Sequence, residues 1–151
     1  MLKLSRKTLF AIEAVLDIAY HGGAGPVQCA EITRRQGSPK RYLERALQEL
    51  VRAGVLIGVR GPRGGYRLAR ERRRVSIGEI VRVVRALEAA GVEIADAGGS
   101  ELGLKVVRPL WGELSENIVA RLESVTIEDM CARAAAAGVA SEGRRNLDFA
   151  I

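Results

Sequence analysis

Arg41, Glu44, Arg45, Gln48 and Arg52 share one face of a predicted helix, and their side chains are those that read nucleic-acid base edges. Arginine grips guanine with two parallel hydrogen bonds, glutamate accepts from the cytosine amino group, and glutamine pairs with adenine. The same residues also suit a solvated helix face, so their neighbours must decide. A second cluster lies just downstream, Arg60-Gly61-Pro62-Arg63-Gly64-Gly65-Tyr66-Arg67-Leu68, a glycine-rich turn with an arginine at each shoulder. Such a loop suits a narrow, negatively charged groove, and equally suits an ordinary hairpin whose glycines serve only the turn. Chemistry of other kinds is poorly supplied. The single histidine is His21, no nucleophile sits beside a base, and no paired carboxylates converge, which argues against an enzyme.

The elements that position these clusters follow from periodicity. A first helix is expected from about Ser5 to Tyr20, with Leu9, Ile12, Leu16 and Ala19 on its apolar stripe, ended by the glycines from Gly22. A short second helix turns Cys29, Ala30 and Ile32 inward and breaks at Gly37. Ser38-Pro39 then predicts a serine N-cap with proline at the first position of a third helix, running to about Ala53 and burying Leu43, Ala46, Leu47, Leu50 and Val51. Residues 55–59 are rich in β-branched side chains, and residues 66–68 can pair back on them across the glycine turn. With a short helix in front and a hairpin behind, the polar face of the third helix reads as a recognition surface. The run Arg70-Glu71-Arg72-Arg73-Arg74 can touch phosphates or be merely solvated.

Ser76-Ile77-Gly78-Glu79 is a capping-box pattern opening a fourth helix with Ile77, Ile80, Val81, Val84 and Leu87 on one stripe. Periodicity fails from Gly91 to Arg108, which predicts a mobile loop, and Pro109 restarts helix. The fifth helix, to about Ser124, aligns Trp111, Leu114, Ile118 and Leu122, widened by Leu110 and Val119. A helix this apolar beyond a complete small domain needs a partner, and Trp111 is an interface or core anchor. A short sixth helix is expected from Thr126 to Ala137, and the tail from Gly138 is expected to be poorly ordered.

Composition agrees with a polyanionic partner. The 151 residues carry a net charge of +6, divided as +10 over residues 1–74 and −4 over residues 75–151. Neutralised phosphates release counterions, so a basic half gains affinity for nucleic acid without special geometry. Basic residues interleaved with helix-turn-helix spacing do not form the long amphipathic face a membrane surface would select. With no signal-peptide core and no membrane-length apolar run, a cytoplasmic protein is expected. Cys29 and Cys131 are far apart and in no metal-binding pattern, so neither disulfide nor metal site is expected.

The chain resembles the bacterial winged helix-turn-helix regulators of the Rrf type, the family of IscR, NsrR and CymR. The resemblance covers most of residues 1–125 and rests on Lys3-Leu4-Ser5, Gly25-Pro26-Val27, Gln36-Gly37, Tyr42-Leu43-Glu44, the wing string from Val59 to Leu68, and Arg108-Pro109-Leu110-Trp111. It implies a mainly α fold with a small β-hairpin wing: a DNA-binding domain over residues 1–90, a sensor-type loop over 91–108, a dimerisation helix and short C-terminal helix over 109–137, and a tail over 138–151. It further implies a homodimer, built on Leu110, Trp111, Leu114, Ile118 and Leu122, that binds double-stranded DNA. Ser38, Arg41, Tyr42 and Glu44 would meet bases or phosphates, Arg60 and the backbone of Gly61, Gly64 and Gly65 would make the wing contact, and Lys3 and Ser5 would hold adjacent phosphates. Arg63 stands where the family commonly has glycine and adds charge at the wing tip.

Many relatives hold an iron–sulfur cluster on three cysteines between the fourth and fifth helices, but residues 91–108 here contain neither cysteine nor histidine. No cofactor is expected. The reading is a regulator, expected to be a repressor on a pseudo-palindromic operator. Alternatives within the same fold are a thiol sensor using Cys29 or Cys131, or a regulator answering a small molecule or protein held at residues 91–108. An adaptor that dimerises without DNA is the alternative of a different class.

Overall fold

The computed structural model describes residues 5–23, 25–91 and 99–143. It is mainly helical, with the two-stranded antiparallel hairpin expected of a winged helix. Helix α1 (Arg6–His21) starts on Ser5, whose hydroxyl accepts from the Thr8 N–H at 3.1 Å, and ends where the Gly22 N–H returns to the Ile18 carbonyl. Its buried face is Thr8, Ala11, Ala14, Val15, Ile18 and Ala19. The expected stripe is therefore rotated: Ile12 and Leu16 lie on its flank and Leu9 is 46% exposed. Small residues face inward because α1 is the central helix, packed on by α2, α3, α4, α6 and the wing, and close approach from several sides favours alanine over leucine.

Helix α2 (Cys29–Gln36) begins at Gln28, whose N–H donates to the Glu31 carboxylate at 2.8 Å, and stops at Gly37, in the left-handed region at φ 68°. Ile32 is its buried anchor and Cys29 is half-buried. Ala30, expected in the core, is exposed, because a two-turn helix has room for one narrow apolar edge. Helix α3 (Lys40–Arg52) buries Leu43, Ala46, Leu47 and Leu50 as the spacing predicts, while Val51, expected with them, is half-buried at the edge of that face. Its N-cap is Pro39, one residue later than expected. Ser38 is 8% exposed and its hydroxyl donates to Gln36 Oε1 at 2.9 Å instead of capping the helix. Gln36 donates from its amide nitrogen to the Phe10 carbonyl, which leaves that oxygen as the acceptor nearest Ser38.

Strands β1 (Leu56–Val59) and β2 (Gly65–Leu68) pair from Leu56↔Leu68 to Val59↔Gly65. Val27 adds a third, one-residue strand through reciprocal 2.8 Å hydrogen bonds with Tyr66. Helix α4 (Ile77–Gly91) buries Ile77, Ile80, Val81 and Val84, while Leu87, expected on the same stripe, is half-buried. Only half of its expected capping box forms. The Glu79 N–H donates to Ser76 Oγ at 3.1 Å, but the Glu79 carboxylate pairs with Arg70.

The stretch expected as loop up to Arg108 is helical in its described final part. Residues 101–102 lead into a π-helical turn, Gly103–Val107, which runs without a break into α5 (Arg108–Glu123); residues 92–98 of the expected loop lie outside the described residues. Pro109 at the start of α5 is tolerated because the wide π turn ahead of it relieves the ring's clash with the preceding carbonyls. Helix α6 (Ile127–Ala136) opens on a Thr126/Asp129 capping box, and hydrogen bonds Ile77 N–Val125 O and Ile127 N–Val75 O, both 2.8 Å, staple its start to that of α4. The tail is ordered over residues 138–143, which fold back onto α1 and α2. Residues 144–151 are outside the described part.

Candidate nucleic-acid interface

The buried leucines of α3 leave Arg41, Arg45 and Gln48 exposed and Glu44 half-exposed on its outer face. Glu44 is loosely paired with Lys40 at 3.9 Å, one helical turn away. Arg41 and Arg45 make no side-chain hydrogen bond or ion pair among the described residues, and the same holds for Arg60, Arg63 and Arg67 of the hairpin. The run from Arg70 to Arg74, left open by the sequence, is different. Arg70 binds Glu79 and the Arg74 carbonyl, Arg72 donates to the Ala19 carbonyl at 2.6 Å, and Arg73 pairs with Glu71. Three of its arginines are used within the fold; those of α3 and the hairpin remain available.

The hairpin turn is shaped by its own packing. Gly65 has φ 156°, and a Cβ there would stand 2.4 Å from the Val27 carbonyl oxygen. Gly64 is buried, with the Val59 carbonyl occupying the space of a side chain at 2.1 Å. Gly61, at φ 108°, is exposed at the turn beside Arg60, Pro62 and Arg63. The tip is also tethered: the Gln28 side-chain amide donates to the Pro62 carbonyl at 3.2 Å, joining the start of α2 to the wing. Sequence reasoning missed both Val27 and Gln28. A glutamate three residues after Gln28 was the available signal for a helix start there.

Other expected contact residues sit closer to the core. The Tyr42 hydroxyl donates to the Lys7 carbonyl at 2.9 Å, while Lys7 Nζ lies 5.6 Å from the Tyr42 ring. Burial first, then the Glu88 carboxylate, pushes the Tyr42 phenol up to about 12. Ser5 caps α1 and donates to Glu88 at 2.8 Å, and Ser38 is buried. Lys3 lies outside the described residues. The phenol of Tyr66 is raised by burial first and then by Cys29 and Glu44. Burial likewise pushes the Cys29 and Cys131 thiols up, with Glu44 adding to the first and Arg72 opposing the second. Both are held in the protonated, weakly nucleophilic form.

The pattern of one family, described as Rrf2, iron-dependent transcriptional regulator, matches residues 4–133, which span this helix-turn-helix and hairpin. The chain belongs to the Rrf2 family. The regulator IscR of Xenorhabdus nematophila is 35% identical over 133 residues, covering 85% of this chain and 79% of the relative, and IscR of Escherichia coli is 33% identical over 131 residues, covering 85% and 80%. Among solved structures, T. potens IscR superposes with a TM-score of 0.70 at 35% identity, covering 93% of each chain. CymR, the global cysteine regulator of B. subtilis, does so with 0.66 at 28% identity, covering 88% of this chain and 98% of its own. This Rrf2 protein is thus a DNA-binding transcriptional regulator and not an enzyme, and among the described residues no helix is long and apolar enough to cross a membrane.

The far end of the Rrf2 chain exposes apolar surface. Leu110 is 55% exposed, Trp111 56% and Leu114 40%, and Leu102, Leu104, Val106 and Val107 continue the exposed apolar surface through the π turn. Val119 is fully buried against the domain, while Ile118 and Leu122 are half-buried. Glu116 and Glu123 on α5 pair with Arg82 of α4, and Gly78 lets the α4 backbone approach that of Glu123 closely.

Proposed function

We propose that this protein is a cytoplasmic homodimeric repressor that reads a pseudo-palindromic operator, with α3 of each protomer in a major groove and each wing in the adjacent minor groove. The observation that carries the reading is the set of uncommitted guanidinium groups on α3 and the hairpin, Arg41, Arg45, Arg60, Arg63 and Arg67, in a fold whose other arginines are largely paired. Within this reading Arg41, Glu44, Arg60, Arg63 and the backbone of Gly61 contact the DNA directly. Ser5, Tyr42 and Ser38 act by placing α1 and α3, Lys3 extends the phosphate contacts, and Gly64 and Gly65 hold the wing's shape. The dimer joins two α5 helices through Leu110, Trp111 and Leu114, with Ile118 and Leu122 at the margin. A repressor of this kind needs only to occupy its operator.

The family description names iron, but the residues do not fit a thiolate-held cluster. The segment between α4 and α5 has no cysteine or histidine, and Cys29 and Cys131 lie on separate helices. No regulatory step through a cluster is therefore assigned. Selection of bound duplexes from a random pool tests binding, symmetry and half-site spacing together, with half-sites expected about one helical turn or a multiple apart. Transcription in vitro from a template carrying the selected site, which should fall as protein is added, tests repression. Anaerobic reconstitution should leave no stoichiometric iron or sulfide.

A further inference from the structure

Residues 139–143 cross the end of α1 and the side of α2. The Tyr20 hydroxyl donates to the Val139 carbonyl, Ser141 Oγ donates to the Tyr20 carbonyl at 2.7 Å, and the Glu142 N–H donates to His21 Nδ1 at 3.1 Å. The Glu142 carboxylate accepts from Arg34 at 3.2 Å and from Arg35 at 2.7 Å, and Arg35 in turn holds Asp17 at 2.6 Å. Gly143 is buried, and a Cβ there would lie 2.5 Å from both the Gly23 nitrogen and the His21 carbonyl oxygen. Glu142 also lines a cleft of about 390 Å3 between α2 and the wing tip, shared with Glu31, Arg35 and Arg63.

We propose that residues 139–143 are an autoinhibitory strap: docked, Glu142 occupies Arg34 and puts a carboxylate into the cleft that wing-tip Arg63 also lines, and release on protonation of His21 leaves Arg34 and Arg63 to DNA phosphates while Arg35 stays with Asp17. The inference rests on the wing and α3 forming the DNA-binding face. The latch is chemical. His21 Nδ1 accepts the Glu142 N–H only while it carries no proton, and an imidazolium would face that N–H with another. The charged groups around the ring are Asp17 on α1, Arg34 and Arg35 on α2, Glu142 on the strap, and Glu31 and Arg63 across the cleft. Burial is the largest influence and lowers the His21 pKa below its ordinary 6.5; Asp17 and Glu142 oppose it, and the two arginines reinforce it. A group with a depressed pKa in the folded state contributes above its unfolded value and loses that contribution as pH falls through the folded one. The strap is therefore closed at neutral pH and opens on acidification.

The test uses the full chain, the selected operator duplex and a scrambled duplex. Gly143→Val removes the docking space without changing charge, and Glu142→Gln keeps the hydrogen bond from the backbone N–H to His21 while removing the carboxylate from Arg34 and the cleft. Gly143→Val should shift the Glu142 amide resonance away from its docked position. Each variant should bind both duplexes several-fold more tightly at neutral pH, with a salt dependence steeper by about one to two charges. The double variant should gain nothing further. Wild type should approach the Gly143→Val affinity as pH falls below the ordinary imidazole value, while Gly143→Val should lack that rise. A Glu142 amide unmoved by Gly143→Val, or moved with no gain in affinity, overturns the strap. Failure of wild type and every variant to bind any duplex overturns the DNA-binding reading as well, and is distinct from a wild type that binds as tightly as Gly143→Val.

Discussion

The wing with α3 and the outer face of α5 are both unfinished surfaces, but they are unfinished in different currencies. On α3 and the hairpin the unmet groups are guanidiniums, which water solvates well; the surface can wait for a polyanion at little cost and release counterions when one arrives. On α5 the unmet groups are Leu110, Trp111 and Leu114, and apolar area left in water costs about 25 cal/mol per Å2. The first surface is built for a reversible, salt-sensitive partner. The second is built for a standing one, which is why we assign DNA to the first and a second copy of the chain to the second.

The comparison breaks most sharply at α5. Replacing Trp111 and Leu114 together by glutamate should cost the dimer at least about 3 kcal/mol, because each protomer would bring two charges to the buried interface. Monomers of unchanged helical content are expected by light scattering and circular dichroism; a dimer of wild-type mass would assign another interface. Next comes the wing's shape. Gly65→Ala places a methyl against the Val27 carbonyl in a conformation alanine resists, and should destabilise the domain by about 2 to 3 kcal/mol in urea unfolding. An unchanged midpoint would mean that the wing does not depend on Val27.

Within the charged surface, two substitutions should diverge. Arg60→Ala should weaken binding to the selected and scrambled duplexes alike and flatten the salt slope by about one charge. Glu44→Ala should instead relax discrimination by about 1 to 3 kcal/mol at one base pair of each half-site, with overall affinity unchanged or raised. Identical behaviour of the two would remove the division between wing and recognition helix. The smallest effect belongs to Tyr42→Phe, which loses the bond to the Lys7 carbonyl and should cost about 1 kcal/mol of stability with little change in sequence preference. A large loss of specificity would make Tyr42 a base reader.

Much of this was legible in advance. The leucine spacing of α3, the glycine-rich turn and the apolar stripe of α4 are local patterns, and each formed close to where it was read. The orientation of α1 was not legible, since Ile12 and Leu16 outscore Thr8 and Ala11 in hydrophobicity, yet crowding by several elements selects the smaller face. The cap of α3 moved because Gln36, itself held by Phe10, offered Ser38 a closer partner. The helical lead-in before Pro109 was hidden by Gly103 and by the missing periodicity of a segment with little core to face.

Sequence alone determined the element order, the placement of positive charge in the first half, and the absence of thiolates between α4 and α5, because these depend on residue identity and short-range spacing. Tertiary structure decided which arginines are free. Nothing local distinguishes Arg72, spent on the Ala19 carbonyl 53 positions away, from Arg67, which faces solvent. It also decided that residues 139–143 are a docked strap, since their partners, Tyr20, His21 and Arg35, are more than a hundred positions distant and pairing at that range is set by the fold's closure rather than by propensity.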